Sequence, residues 1–132
     1  MLTDAINIRD SHILNIGVKA DIVAYKNYNK NEVILRCIDS LKSYFEIEKW
    51  QINQPIILAE IINELLKVEG VQNVNNVILE NKWNTTNGYS GNFYDMNAAK
   101  KDGIIYPAQD PSIFEIKFPD TDIRGRVVSL SF

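Results

Sequence analysis

Apolar residues begin to alternate near the N-terminus: Leu14, Ile16, Val18, Ala20, Ile22 and Ala24 face one way, while Asn15, Gly17, Lys19, Asp21 and Tyr25 face the other. This period of two predicts a half-buried strand. Asn29, followed three residues later by Glu32, resembles a capping box with Asn in the Ser/Thr role and predicts a helix start. Ile34, Cys37, Ile38, Leu41 and Phe45 then build one apolar stripe, with Arg36, Asp39 and Lys42 left to solvent and an end near Tyr44 to Glu46. Trp50 and Ile52 alternate as in a short strand.

Pro55 suits the first position of a second helix, because its fixed φ and missing N–H cost nothing there. Ile57 and Leu58, Ile61 and Ile62, Leu65 and Leu66 form its dry side, and Gly70 is placed to close it in a left-handed conformation. In the strand that follows, Val77 and Leu79 point one way and Ile78 and Glu80 the other, with Val71 and Val74 assigned to the bend before it. Ile113, Glu115 and Lys117 alternate with Phe114, Ile116 and Phe118 until Pro119. PDTDIRG then reads as a turn and RVVSLSF as further strand, which predicts a C-terminal β-hairpin over 112–132.

Two one-faced helices need a surface to cover, and a sheet provides one. The predicted class is α+β: two amphipathic helices on one face of a mixed sheet of about four strands, with a long irregular excursion and a terminal hairpin. Residues 1–12 are polar, lack a strong period and read as a lead-in from upstream; residues 13–132 form one domain. The 132 residues, 45% hydrophobic and 23% charged, suffice for one such core.

Charge and targeting signals narrow the function classes. A net charge of −3 and a pI of about 5.1 give no global field for a polyanion, which weighs against nucleic acid as the main partner. No apolar run approaches the ~20 residues a bilayer span needs. The opening MLTDAINIRD lacks the basic start and apolar middle of a secretory signal. Cys37 is the only cysteine and reads as a core filler, so no internal disulfide is expected.

No catalytic constellation emerges. His12 is the only histidine and has no ligand-spaced companion. Asp120 to Gly125 begins like a calcium loop, but Arg124 stands at a ligand position and no bidentate Glu follows at the required distance. Gly88-Tyr89-Ser90-Gly91 has the outline of a nucleic-acid-clamping GXXG loop without the helices that flank one. No catalytic, cofactor or metal residue is therefore assigned.

The remaining feature is the segment 83–111, long, polar and studded with aromatics. Such a loop is usually functional, disordered or a sign of a wrong element assignment. Disorder is disfavoured because Trp83, Tyr89, Phe93, Tyr94, Met96, Ile104, Ile105 and Tyr106 are costly to leave in water. It reads as an arm packed partly on its own domain and partly on a neighbouring subunit; the alternative is an Ω-like loop folded over its own core. The interface candidates are Trp83, Tyr89, Phe93, Tyr94, Ile105, Tyr106 and, from the terminal strands, Arg124, with Tyr94 and Tyr106 as anchors. A competing reading makes the same aromatics a stacking surface for nucleic acid or another ligand, with Lys100, Lys101, Arg124 and Arg126 beside them. Asp95, Asp102, Asp110, Asp120 and Asp122 interleave and break any basic stripe.

Within YDMNAAKKDGIIYPAQDPSIFEIKFPDTDIRGRVV, Tyr94-Asp95, the run Gly103 to Pro107, the run Asp110 to Glu115, Asp122-Ile123 and Gly125 to Val127 carry a resemblance. The sequence resembles the C-terminal region of baseplate wedge proteins of T4-like contractile-tailed bacteriophages, related to the wider baseplate J-like family. The likeness covers roughly residues 13–130, generic in its first half and specific in its second. Proteins of that family are several times longer. The resemblance implies a structural virion protein of the tail baseplate, assembled in the host cytoplasm, with no enzymatic activity and no cofactor. It also implies self-association, with a dimer as building unit, and contacts with other wedge subunits.

Overall fold

The computed structural model describes residues 12–46, 49–108 and 111–128. Most of the expected lead-in lies outside them, and His12 already belongs to the first strand. In chain order the elements are β1 (His12–Ala24), α1 (Lys30–Tyr44), β2 (Ile56–Ile57), α2 (Leu58–Leu66), β3 (Val71–Asn81), α3 (Met96–Ala99), β4 (Lys100–Lys101), β5 (Ile104–Ile105), β6 (Ser112–Glu115), α4 (Pro119–Asp122) and β7 (Ile123–Val127). The class is α+β. A four-stranded mixed sheet is centred on β1, and β2, β5 and β4 form a small second sheet.

The strand β1 is long enough to pair differently along its two halves. One edge holds β3, antiparallel, from Ile16↔Asn81 to Ala24↔Val71. The other holds β6, parallel to His12–Asn15, and then β7, parallel to Val18–Ile22. Since β6 and β7 run in the same direction on the same edge, they do not form the expected hairpin. They are two lengths of one interrupted strand. Thr121 and Asp122 N–H groups donate to the Phe118 carbonyl, so the connector makes one helical turn with Pro119 at its start and returns the chain to the edge without reversing it.

Leu14, Ile16, Val18, Ala20 and Ile22 are all buried on one face of β1, the alternation read from sequence. The helix α1 lies against β7, α2 lies against β3, and the two helices touch. The Asn29 side chain accepts from Glu32 N–H at 3.2 Å and caps α1 as expected. Val33, Cys37 and Leu41 are the fully buried residues of α1, with Ile38 packed beside them; Val33 is a core residue that the sequence stripe omits. Burial pushes the Cys37 thiol up to about 11, consistent with an inert core side chain.

Val71 and Val74 belong to β3, not to a bend. Pairing of Val71 with Ala24, Val74 with Ile22, Val77 with Ala20 and Leu79 with Val18 leaves Gln72 and Asn75 as extra residues. These two irregularities turn an apolar spacing of three into a single inward face. Two further expectations give way. Ile52 begins a turn, and Trp50 is buried by ring packing against Phe45 at 5.2 Å and Tyr44 at 5.5 Å, not by strand pairing. Pro55 precedes β2, because Ile56 and Ile57 are drawn into pairing with Ile105 and Ile104, and α2 starts only at Leu58. Gly70 does adopt φ +97°, four residues past the last helical residue.

Candidate functional site: an aromatic pair on a pinned loop

Because β3 stops at Asn81, opposite Ile16, the first residues of β1 have no strand partner on that edge. Buried carbonyls require partners, and the segment after β3 supplies them. The Ile13 carbonyl accepts from Ser90 Oγ at 2.7 Å and from Asn92 Nδ2 at 2.8 Å. The Asn15 carbonyl accepts from Lys82 N–H at 2.7 Å and Asn81 Nδ2 at 3.1 Å. Polar side chains here do the work of a missing strand.

The Asn15 side chain completes the anchorage. It is fully buried, accepts from Ser90 N–H at 2.8 Å and donates to Glu115 Oε1 at 2.8 Å, tying the loop to β6. Asn81 holds both ends of the loop together: its Nδ2 reaches the Asn92 carbonyl at 3.3 Å and its Oδ1 accepts from Tyr94 N–H at 2.8 Å. At the far turn, the Asn84 side chain accepts from Thr86 N–H at 2.9 Å. Tyr89 then donates its hydroxyl to the buried Asp122 carboxylate at 2.9 Å and packs edge-on against Phe118 at 5.4 Å. Burial first, and this hydrogen bond second, raise the Tyr89 pKa above that of an ordinary phenol.

Beyond Tyr94 the excursion is not structureless. It contains α3 and a tight hairpin, β4 and β5, turned by Asp102 (φ +53°) and Gly103 (φ +78°). The sequence signal was present: Asp-Gly is a strong two-residue hairpin signature. The described part of the segment therefore packs in part on its own domain, which both readings require. Met96 and Ile105 are buried beneath it.

The expected interface residues consequently divide. Trp83 (51% exposed) and Phe93 (68% exposed) come together edge-on, with ring centroids 5.8 Å apart. They flank the two ends that Asn81 joins, so a rigid base displays them to solvent. Tyr106 is also exposed, and its carbonyl accepts the Tyr94 hydroxyl. Tyr94 itself is half-buried, its ring tilted toward Phe114 at 6.3 Å, which makes it a packing residue of this chain, not a free anchor. Burial raises its pKa. Ile105 is 3% exposed and pairs with Ile56, so it belongs to the core and not to an outer surface. Arg124 lies on β7 and donates Nε–H to the Thr121 carbonyl at 3.1 Å.

Sequence reasoning missed Asn15, Asn81, Ser90 and Asn92, whose roles depend on which strand ends first. Among the described residues no group of three His, Cys, Asp or Glu side chains could hold a metal ion, and no helix is long and apolar enough to cross a membrane. Compared with known proteins, the chain matches no protein-family model and no curated protein sequence.

Proposed function

We propose that this chain is a structural component of a contractile phage tail, a baseplate wedge protein that works without catalysis, through self-association and contacts with other wedge subunits. The observation that carries the reading is the Trp83–Phe93 pair. Two large aromatics held together in water by a hydrogen-bonded loop base are already ordered, so a partner that covers them loses little further conformational freedom. The sequence likeness of Tyr94 to Val127 to the family supports the same reading from a separate direction.

The test has two arms. Sedimentation velocity over a hundredfold concentration range should give a discrete oligomer for the intact chain and a folded monomer for Trp83→Ala/Phe93→Ala, with thermal midpoints closely matched because both side chains are exposed. An antibody against the chain should label the distal end of the tail in micrographs of the virions that carry it. A concentration-independent monomer rejects self-association through the pair, and unlabelled tails reject the baseplate assignment.

A further inference from the structure

The two outer edges of the main sheet are not equivalent. On β3, the extra residues Gln72 and Asn75 distort the ladder and α3 packs against the strand, devices that discourage another strand from docking. On the opposite side, β7 pairs with β1 without a register shift, and among the described residues no strand pairs with its outer side. Val128 N–H donates to the Ile22 carbonyl at 2.8 Å. By strand alternation Arg124 and Arg126 direct their backbone groups at β1, whereas Ile123, Gly125 and Val127 direct theirs outward.

The side chains beside that edge select the occupant. Arg126 is neutralised by Asp21, donating Nε at 3.1 Å and Nη2 at 3.0 Å to its two carboxylate oxygens. Lys19 is paired with Glu80 at 3.5 Å. Arg124 is exposed and engages only through Nε, to a backbone carbonyl, so among the described residues its Nη groups and its charge have no carboxylate partner. A second copy of β7 fits poorly. In every antiparallel register that overlaps three or more residues of β7 and pairs outward residues with outward residues, Arg124 or Arg126 stands opposite an arginine of the other copy, and like charges directly opposite are unfavourable.

We propose that β7 is a docking edge for an extended acidic segment of a different protein, which adds as a further strand and places a carboxylate on Arg124. Backbone hydrogen bonds at Ile123, Gly125 and Val127 give the affinity, and the arginine gives the sign of the charge. This site is separate from the Trp83–Phe93 pair and does not depend on what covers it.

The probe is a short capped peptide of alternating glutamate and valine, compared with the same peptide carrying lysine in place of glutamate. Amide hydrogen exchange by NMR should slow at Ile123, Gly125 and Val127 with the acidic peptide, while Arg124 and Arg126, already bonded to β1, change little. Arg124→Glu, a substitution at an exposed site, should weaken the acidic peptide at least about tenfold and favour the lysine peptide. Unchanged exchange at millimolar peptide, or equal protection by both peptides, overturns the proposal. So does protection of the same amides that grows with protein concentration alone, which would make a second copy the occupant.

Discussion

Asn15 on β1 accepts a hydrogen bond from the backbone N–H of Ser90, 75 residues away in sequence, and is itself wholly buried. One side chain thus fixes a loop and, through Glu115, the end of β6 where the edge strand is interrupted.

Asn15→Leu keeps the volume but removes both hydrogen bonds, leaving Ser90 N–H and Glu115 without this partner. The expected loss is about 2 kcal/mol or more, since buried groups deprived of partners cost about 1–3 kcal/mol each. Urea unfolding followed by circular dichroism measures it. Amide exchange should accelerate selectively at Ser90, Asn92 and Tyr94; uniform acceleration would show that Asn15 supports the whole core instead.

Tyr89→Phe removes the hydroxyl that donates to the Asp122 carboxylate, which is 5% exposed. Loss of about 1–3 kcal/mol is expected at neutral pH. Tyr89→Phe combined with Asp122→Asn should recover part of it, because the uncompensated charge is then gone. A double variant as unstable as the sum of its parts would contradict the pairing.

Gly103 and Gly70 both have positive φ, but their surroundings differ. An added Cβ at Gly103 meets nothing within 4 Å, whereas at Gly70 it would lie 2.7 Å from Val33 Cγ2 and 2.9 Å from Tyr28 Cδ1. Gly103→Ala should therefore cost only the backbone strain of about 1–2 kcal/mol, and Gly70→Ala distinctly more. Thermal midpoints in the reverse order would refute the assignment of Gly70 as a packing constraint.

Lys42 and Asp120 join α1 to α4 at 2.6 Å. The hydrogen bond lowers the Asp120 pKa and, with the same partner, raises that of Lys42. Stability from Asp120 is present above its ordinary carboxylate pKa and disappears as pH falls through the lower folded value; stability from Lys42 is present below its ordinary pKa and disappears as pH rises through the higher folded value. Lys42→Met and Asp120→Asn should each flatten both limbs of the midpoint-against-pH curve relative to the parent chain. Since both groups are at the surface, added salt should shrink the difference.

Local chemistry was legible wherever neighbours in sequence decide it. The alternation of β1, the Asn29–Glu32 cap, the position of Cys37 and the left-handed Gly70 all follow from residue type and period, because a strand face, a helix cap and a positive φ are settled within a few residues. The α+β class follows from them, since amphipathic helices require a face to cover. Tertiary structure decided what depends on lengths and distant partners. That β1 runs four residues, His12–Asn15, past the end of β3 at Asn81 is invisible in either strand alone, yet it leaves the Ile13 carbonyl to Ser90 and Asn92 and the Asn15 carbonyl to Asn81 and Lys82. The same holds for β6 and β7, whose alternating patterns suggested a hairpin: direction is set by which edge of β1 is free and by a single helical turn at Pro119, not by periodicity. It holds also for the aromatics, because hydrophobicity marks Trp83, Phe93, Tyr94 and Ile105 alike, and only the loop's path decides which pair is left facing water.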